Sequence, residues 1–383
     1  MASLPYADVD STQRAIAGQA EGFGRFAVGG LHGPLVTVTT LSDDGPGSLR
    51  DACRNPGPGW IVFKVSGTIR LSTYLSVGSH KTIDGRGERV KLTGKGLRLK
   101  ECENVIVCNM EFEGGRGHDV DGIQVKPNSK HIWIDRCSFK DYDDGLIDIT
   151  RGSTDITVSR CYFTQHDKTM LIGADPTHVG DRCIRVTIHH CFFDGTRQRQ
   201  PRLRFGKVHL YNNYTRNWDI YAVCASVEAQ IYSQCNIYEA GKKKKTFEFY
   251  TEKVTSRYLF EPFKVQIRFR SGLVDFEFKP LLVQGFKLIS FKLEFVLNAA
   301  LGPNIQAGDR EEASSGVIRS EGDLFLNGAQ SCLLATGSGE GSVFHPSEYY
   351  KTWTMEAPSD SLKQVLQVCT GWQPVPRLLD HHK

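Results

Sequence analysis

The sequence predicts an all-β protein, a single-stranded right-handed parallel β-helix with short capping helices, and three observations carry that expectation. Strand-sized segments of one design recur, with a base period of about 22 residues. Apolar side chains alternate within them, the period-two mark of a half-buried strand. A repeat this short has no room for a crossover helix. Periods in the twenties belong to solenoids, in which each unit buries its apolar face only by stacking on its neighbours.

The segments are NVIVCNMEF from 104, HIWIDRCSF from 131, DITVSRCYF from 155, RVTIHHCFF from 185, KVHLYNNYT from 207 and AQIYSQCNI from 229. Their seventh residues are Met110, Cys137, Cys161, Cys191, Asn213 and Cys235, giving steps of 27, 24, 30, 22 and 22. Leucine-rich repeats share such a period, but they need a leucine lattice and helical segments that are absent here. In a parallel β-helix like residues stack about 4.8 Å apart. The seventh residues, and Phe112, Phe139, Phe163 and Phe193 at the ninth position, are expected to form such ladders. Extra residues in the longer steps become loops.

Solenoid ends need caps. In GPGSLRDACR, Ser48 is a candidate N-cap for a short helix, and residues 358–371, within APSDSLKQVLQVCTG, read as an amphipathic capping helix closed by Gly371. Residues 1–383 are therefore expected to form one β-helix domain, interrupted by an insertion over 254–309. That stretch holds eight of the 21 phenylalanines between Phe260 and Phe295 and little turn chemistry. Its apolar, β-prone windows predict a loosely packed excursion.

Composition narrows the class. A hydrophobic fraction of 40% and a charged fraction of 23% exclude global disorder, collagen and coiled coil. No run reaches a membrane span, and the start lacks the apolar core of an export signal. The net charge of +4 is too small to imply a polyanion partner by itself. The 11 cysteines show no CxxC pair and read as reduced, mainly buried small hydrophobes.

Two clusters could carry chemistry. Carboxylates crowd at Asp119, Asp121, Asp135, Asp141, Asp143, Asp144 and Asp148. Asp119-x-Asp121 and Asp144-Gly-x-x-Asp148 could converge on adjacent coils around a hard cation such as calcium; the other reading is aspartates capping turns. A basic run follows at Arg197, Arg199, Arg202, Arg204 and Lys207 with no acid among them, and Lys168 lies upstream. Cations on one wall suit planar carboxylates, whereas pairing with nearby aspartates would leave a solvated face. His166, His189, His190 and His209 fall in or beside repeat strands and are expected to fill ladder or turn roles. Asn213 opens an Asn-Tyr-Thr sequon but sits at a ladder position, so it is expected to be buried and unmodified. With no aromatic-interleaved basic surface, nucleic acid is not an expected partner, and neither is a membrane.

HIWIDRCSF, DGLIDITRGSTDITVSRCYFTQHDKTMLIGAD and RQRQPRLRFGKVHLYNNY resemble the pectate lyase family, specifically its plant branch. The resemblance runs from about Gly22 to about Lys253 and resumes near GVIRSEGDLFLNG, leaving out the insertion. It implies a right-handed parallel β-helix, calcium dependence, and β-elimination of polygalacturonate to unsaturated oligogalacturonides. Position by position, it makes Asp121, Asp144 and Asp148 the calcium ligands, with Asp119 a further candidate. Arg199, first in the Arg-x-Pro-x-x-Arg motif, is implied as the base, with Arg204 and Lys168 as substrate-binding partners. The chain departs from the family at Arg136, where Trp-Ile-Asp is usually followed by histidine, and at the insertion.

An arginine base is protonated near neutrality, so this chemistry calls for crowding by Arg197, Arg202, Arg204 and Lys168 and for turnover that rises under alkaline conditions. Two alternatives stand beside it: a hydrolase using paired carboxylates such as Asp143 and Asp144, and a non-catalytic pectate-binding form disabled by the insertion. The expected partner is polygalacturonate, bound by a monomer. The resemblance implies an extracellular, cell-wall location, against a visible sequence without an export signal, which leaves the cytoplasm open.

Overall fold

Stacked strands dominate the computed structural model, which describes residues 13–254, 263–269, 272–278, 312–331 and 343–376. The chain divides into two units, Met1–Val254 with Ala313–Lys383, and Thr255–Glu312. In the first, the chain visits three parallel sheets in turn and then repeats the circuit. The first sheet has ten strands, from Leu35–Val38 to Val317–Glu321; the second has nine, from Gly67–Arg70 to Leu324–Leu326; the third has eight, from Leu75–Val77 to Phe247–Phe249. This is the parallel β-helix that the period of about 22 calls for.

Register explains the repeat. Val105, Ile132, Ile156, Val186, Val208, Ile231 and Ile318 lie on successive first-sheet strands, directly above one another, and all are buried. The phenylalanine ladder forms as expected. Phe112 stacks on Phe139 at 4.7 Å, Phe139 on Phe163 at 5.2 Å, and Phe163 on Phe193 at 4.8 Å. Each stacked pair adds about 0.5–1.5 kcal/mol beyond the area it buries.

The seventh-position ladder runs through Met110, Cys137, Cys161, Cys191 and Asn213, all buried, but its next member is Asn236, not Cys235. The strand starts at Gln230, paired with Lys207, which shifts the count by one. Asn213 Nδ2 donates to Asn236 Oδ1 at 2.9 Å, and Asn236 Nδ2 donates to the Leu210 carbonyl at 3.1 Å. A buried polar rung must satisfy its neighbours: the thiols of Cys137, Cys161 and Cys191 reach the carbonyls of Val107, Ile134 and Val158 at 3.7 Å as weak donors, and the asparagine amides make the same step at 2.8 and 3.1 Å. Asn213 is buried as its position predicts. Among the described residues every cysteine is unpaired.

Ser48 caps the helix Leu49–Arg54, accepting from Asp51 N at 3.1 Å, and Leu49, Ala52 and Cys53 join the core of the first coil. The C-terminal helix spans Asp360–Cys369 with Ser359 as N-cap. It does not close the end of the solenoid, as 358–371 was expected to do. Leu362 and Leu366 pack instead against Phe192, Tyr214 and Ile237 on second-sheet strands. There Tyr162, Phe192 and Tyr214 form a second stack, at 5.4 and 4.9 Å, whose apolar area the helix covers.

An N-terminal strap crosses the outside of the first sheet. Phe23 N, Gly24 N and Gly30 N donate to Thr187, Thr157 and Thr82 hydroxyls at 3.0, 2.9 and 2.9 Å. A Cβ on Gly24 would lie 2.5 Å from Thr157 N, so only glycine permits this approach. In the second unit, Phe263–Phe269 pairs antiparallel with Gly272–Phe278; the rest of the 254–309 segment beyond Val254 lies outside the described residues. The solenoid resumes without a gap, Gln230–Gln234 taking Val317–Glu321 as its next neighbour.

Candidate active site

Four consecutive third-sheet strands, Ile123–Val125, Gly145–Ile149, Lys168–Ile172 and Arg202–Leu203, position the candidate residues. Ile123, Ile147 and Met170 align inward, as do Val125, Ile149, Ile172 and Leu203, and all are fully buried. Alternation then sends the in-register row Gln124, Asp148, Leu171 and Arg202 to the outer face. The carboxylates and the cations thus share one wall because the same inward residues anchor every rung.

Asp119, Asp121 and Asp144 come together, each offering an oxygen within 4.8 Å of the others. Asp121 is fully buried: one oxygen accepts from Gly145 N at 2.7 Å, the other from Gln124 Nε2 at 2.7 Å. Asp148 flanks the trio. A Cβ on Gly145 would meet Asp121 Oδ1 at 2.7 Å and Asp148 Oδ1 at 3.2 Å, so glycine lets the two carboxylates approach. Burial first, and then the Asp144 charge, raise the Asp121 carboxyl against the pull of its Gln124 and Gly145 hydrogen bonds. Burial and the Asp121 charge push Asp148 well up, opposed by Lys126 and Arg199. Oxygen-only donors with mutual repulsion suit a hard divalent cation, which would relieve that repulsion.

Three residues that the sequence did not single out hold this group in place. Tyr74 donates its hydroxyl to the Asp119 carbonyl at 2.9 Å and accepts from Asp121 N at 2.8 Å. Gln124 also donates to the Asp119 carbonyl at 3.1 Å, and Arg98 donates to Gln124 Oε1 at 3.1 and 2.9 Å. Asp135, Asp141 and Asp143 go elsewhere. Asp135 binds Ser159 and Arg160, Asp141 pairs with Arg116 at 2.6 Å, and Asp143 accepts from Gly117 N at 2.7 Å. The pairing of Asp143 with Asp144 as acid and base therefore has its two members committed to different partners.

Of the two readings of the basic run, a wall of free cations and cations paired with acids, the second holds at three of its arginines. Arg197 pairs with Asp167 at 3.1 Å, Lys168 with Asp144 at 2.7 Å, and Arg202 and Arg204 both grip Glu252. Lys207 starts the strand Lys207–Tyr211 and belongs to the first sheet. Arg199 differs from the other three arginines. Among the described residues it has no ion-pair partner, its Nε is buried without a hydrogen bond, and its backbone is left-handed at φ +67. Its carbonyl accepts from Met170 N at 2.9 Å, and its charge is felt at Asp148. Crowding of Arg199 by bare cations is thus offset by Asp144, Asp167 and Glu252.

Two of the four histidines lie inside the solenoid wall, and a third lies beside the carboxylate cluster. His189 and His209 are buried, His189 stacks on Tyr211 at 4.7 Å, and His166 Nε2 lies 2.9 Å from the Asp144 carbonyl oxygen.

Residues 69–258 match the family model described as Pectate lyase. The Arabidopsis thaliana protein named probable pectate lyase 4 is 39% identical over 262 residues, which cover 66% of this chain and 70% of that protein. The crystal structure of the major allergen from cedar pollen is 27% identical and superposes with a TM-score of 0.68, covering 97% of both chains. A Bacillus pectate lyase solved in complex with trigalacturonate shares the fold, with 21% identity, a TM-score of 0.60, and coverage of 94% of this chain and 99% of that one.

Proposed function

The chain belongs to the pectate lyase family and is a polysaccharide lyase, and from that premise we propose that it cleaves polygalacturonate in a calcium-dependent β-elimination on the outer face of the third sheet. The observation that carries this reading is one wall holding a three-carboxylate cluster together with an arginine that has no ion-pair partner among the described residues. Calcium bound by Asp119, Asp121 and Asp144, with Asp148 beside them, would supply electrostatic stabilisation for the negative charge that builds on the uronate carboxylate.

The chain's own residues do the rest. Arg199 takes the proton from C5 of the uronate; the C5–H electron pair forms the C4–C5 double bond, and the C4–O4 bond breaks with its own pair leaving on O4, which takes up a proton from solvent water. Its guanidinium is not tied down by a carboxylate, so no ion pair has to be broken before it acts. Lys168 and Arg204, which pair with Asp144 and Glu252, orient substrate carboxylates by opening or sharing those pairs, and Leu171 between Asp148 and Arg202 offers an apolar rung against the sugar ring. Because an arginine is protonated at neutral pH, turnover climbs under alkaline conditions. That a Bacillus enzyme of this fold takes trigalacturonate supports the choice of substrate.

The test is ultraviolet absorbance of the unsaturated product from polygalacturonate with calcium and with a chelator. Product that appears only with calcium is expected. Saturated reducing ends without the chromophore would favour a hydrolase. We further propose a monomer acting in the cell wall, where its substrate lies. A tagged chain found solely in the cytosol would defeat that location, and a dimer on size-exclusion chromatography would defeat the monomer.

A further inference from the structure

Glu252 lies 48 residues beyond Arg204, yet its carboxylate is held by two arginines of the site. Oε2 accepts from Arg204 Nε at 2.8 Å, while Oε1 accepts from Arg204 Nη2 at 3.0 Å and Arg202 Nη2 at 2.9 Å. The side chains of Arg202, Arg204 and Glu252 are 14%, 13% and 19% exposed, so water screens this group weakly. The Nε and Nη2 edge of a guanidinium is a surface on which a planar carboxylate docks through two parallel hydrogen bonds. In Arg204 that edge is filled from within, and Nη1 is given to the Ala174 carbonyl at 3.1 Å.

We propose that Glu252 is a specificity-determining residue that adapts this lyase to partly methyl-esterified galacturonan. The proposal rests on the reading that Arg204 meets a substrate uronate. A free uronate carboxylate must displace Glu252 or lie beside its negative charge; a methyl-esterified uronate carries no charge and requires neither. Two neighbours suit the ester methyl group. Leu171 is half-buried and in register with Arg202, and the Tyr250 ring centroid lies 4.8 Å from the Arg202 guanidinium carbon. Discrimination here is a difference between two substrates, set by a built-in repulsion against one of them.

The experiment compares the full chain with Glu252→Gln on de-esterified polygalacturonate and on pectin of defined partial esterification, with melting curves of both proteins. Glutamine keeps the shape and one acceptor but removes the charge. KM for polygalacturonate is expected to fall about tenfold, the effect of one added charge-assisted pair, with KM for the esterified pectin changed by less than about twofold. Parallel shifts on both substrates, or an unmoved KM for polygalacturonate in a variant that melts normally, overturn the proposal.

Should the variant melt early, calorimetry on the Arg199→Lys full chain decides instead, with trigalacturonate and its methyl ester as probes. The ester binding at least as tightly as the acid supports the role of Glu252. The acid binding about tenfold tighter or more overturns it while leaving the site assignment intact. If neither trimer binds, the site assignment falls, and the role of Glu252 falls with it.

Discussion

Replacing Arg199 with lysine separates holding a carboxylate from removing a proton. Both residues are unbranched at Cβ, so the left-handed backbone at φ +67 strains parent and variant alike and cancels from the comparison. The positive charge stays, and Asp148, which feels Arg199, still has a cation beside it. What changes is reach and shape: the lysine amine ends one bond short of the two terminal guanidinium nitrogens, a displacement of about 1.3 Å, and has no planar fork.

A misplacement of about 1 Å can cost about 10²-fold in rate, and losing a positioned general base costs about 10²–10⁴-fold. The expected fall in kcat is therefore about 10²–10⁴, equivalent to roughly 3–5 kcal/mol of transition-state stabilisation. KM should move by only about threefold, because Lys168 and the Arg202–Arg204 pair are untouched and the net charge is the same. Initial rates of unsaturated-product absorbance, across substrate concentration and the alkaline pH range, read both quantities. A kcat within about fivefold of the parent, or a loss confined to KM, would show that Arg199 binds substrate and is not the base.

Asp144→Asn and Asp148→Asn should each weaken calcium binding about tenfold or more with the solenoid still folded; equal affinities in titration calorimetry would reassign both residues to structural turns. Folded Asp121 and Asp148 have raised carboxyl pKa values, so their contribution to stability is present below the ordinary carboxylate value and is lost as pH rises through the raised ones. Calcium reverses that loss, so the gap in melting temperature between calcium-loaded and chelated protein should widen from about pH 4 to pH 7; a constant gap would refute the link. Joining Lys253 directly to Arg310 should leave activity and melting temperature no lower, since Gln230–Gln234 already pairs with Val317–Glu321 across the removed segment. Earlier melting or lost activity would make that segment integral to the fold.

Much of the fold was legible because a solenoid writes each contact into the next repeat. Phe112, Phe139, Phe163 and Phe193 stand one coil apart in sequence and one strand apart in space, so reading the period was enough to stack them. Counting failed where a turn changed length by one residue, as at Gln230, which moved Asn236 into the rung assigned to Cys235. The N-terminal strap gave a signal that periodicity does not use. The glycines of GFGRFAVGG mark places where backbone touches the first sheet, and only knowledge of the facing threonines turns them into contacts. The C-terminal helix was recognised by its own pattern, but its docking surface is the Tyr162, Phe192 and Tyr214 stack, formed by three separate coils.

The candidate site divides along the same line. Residue types and their wall could be anticipated, because Asp148, Leu171 and Arg202 follow the strand alternation that also buries Ile147, Met170 and Leu203. The charge state of the wall could not. Asp144 reaches Lys168 across 24 residues and Asp167 reaches Arg197 across 30, both one-coil steps that the period permits. Glu252 reaches Arg202 across 50 residues, two coils away, from the last stretch before the interrupting segment, where the repeat pattern had already faded. Five cations on paper thus become three occupied arginines and one arginine, Arg199, with no ion-pair partner among the described residues, while Lys207 turns to another sheet. A sequence can nominate cations for catalysis, but which of them stands without an acid partner depends on the acids that the stacking of coils brings to the others.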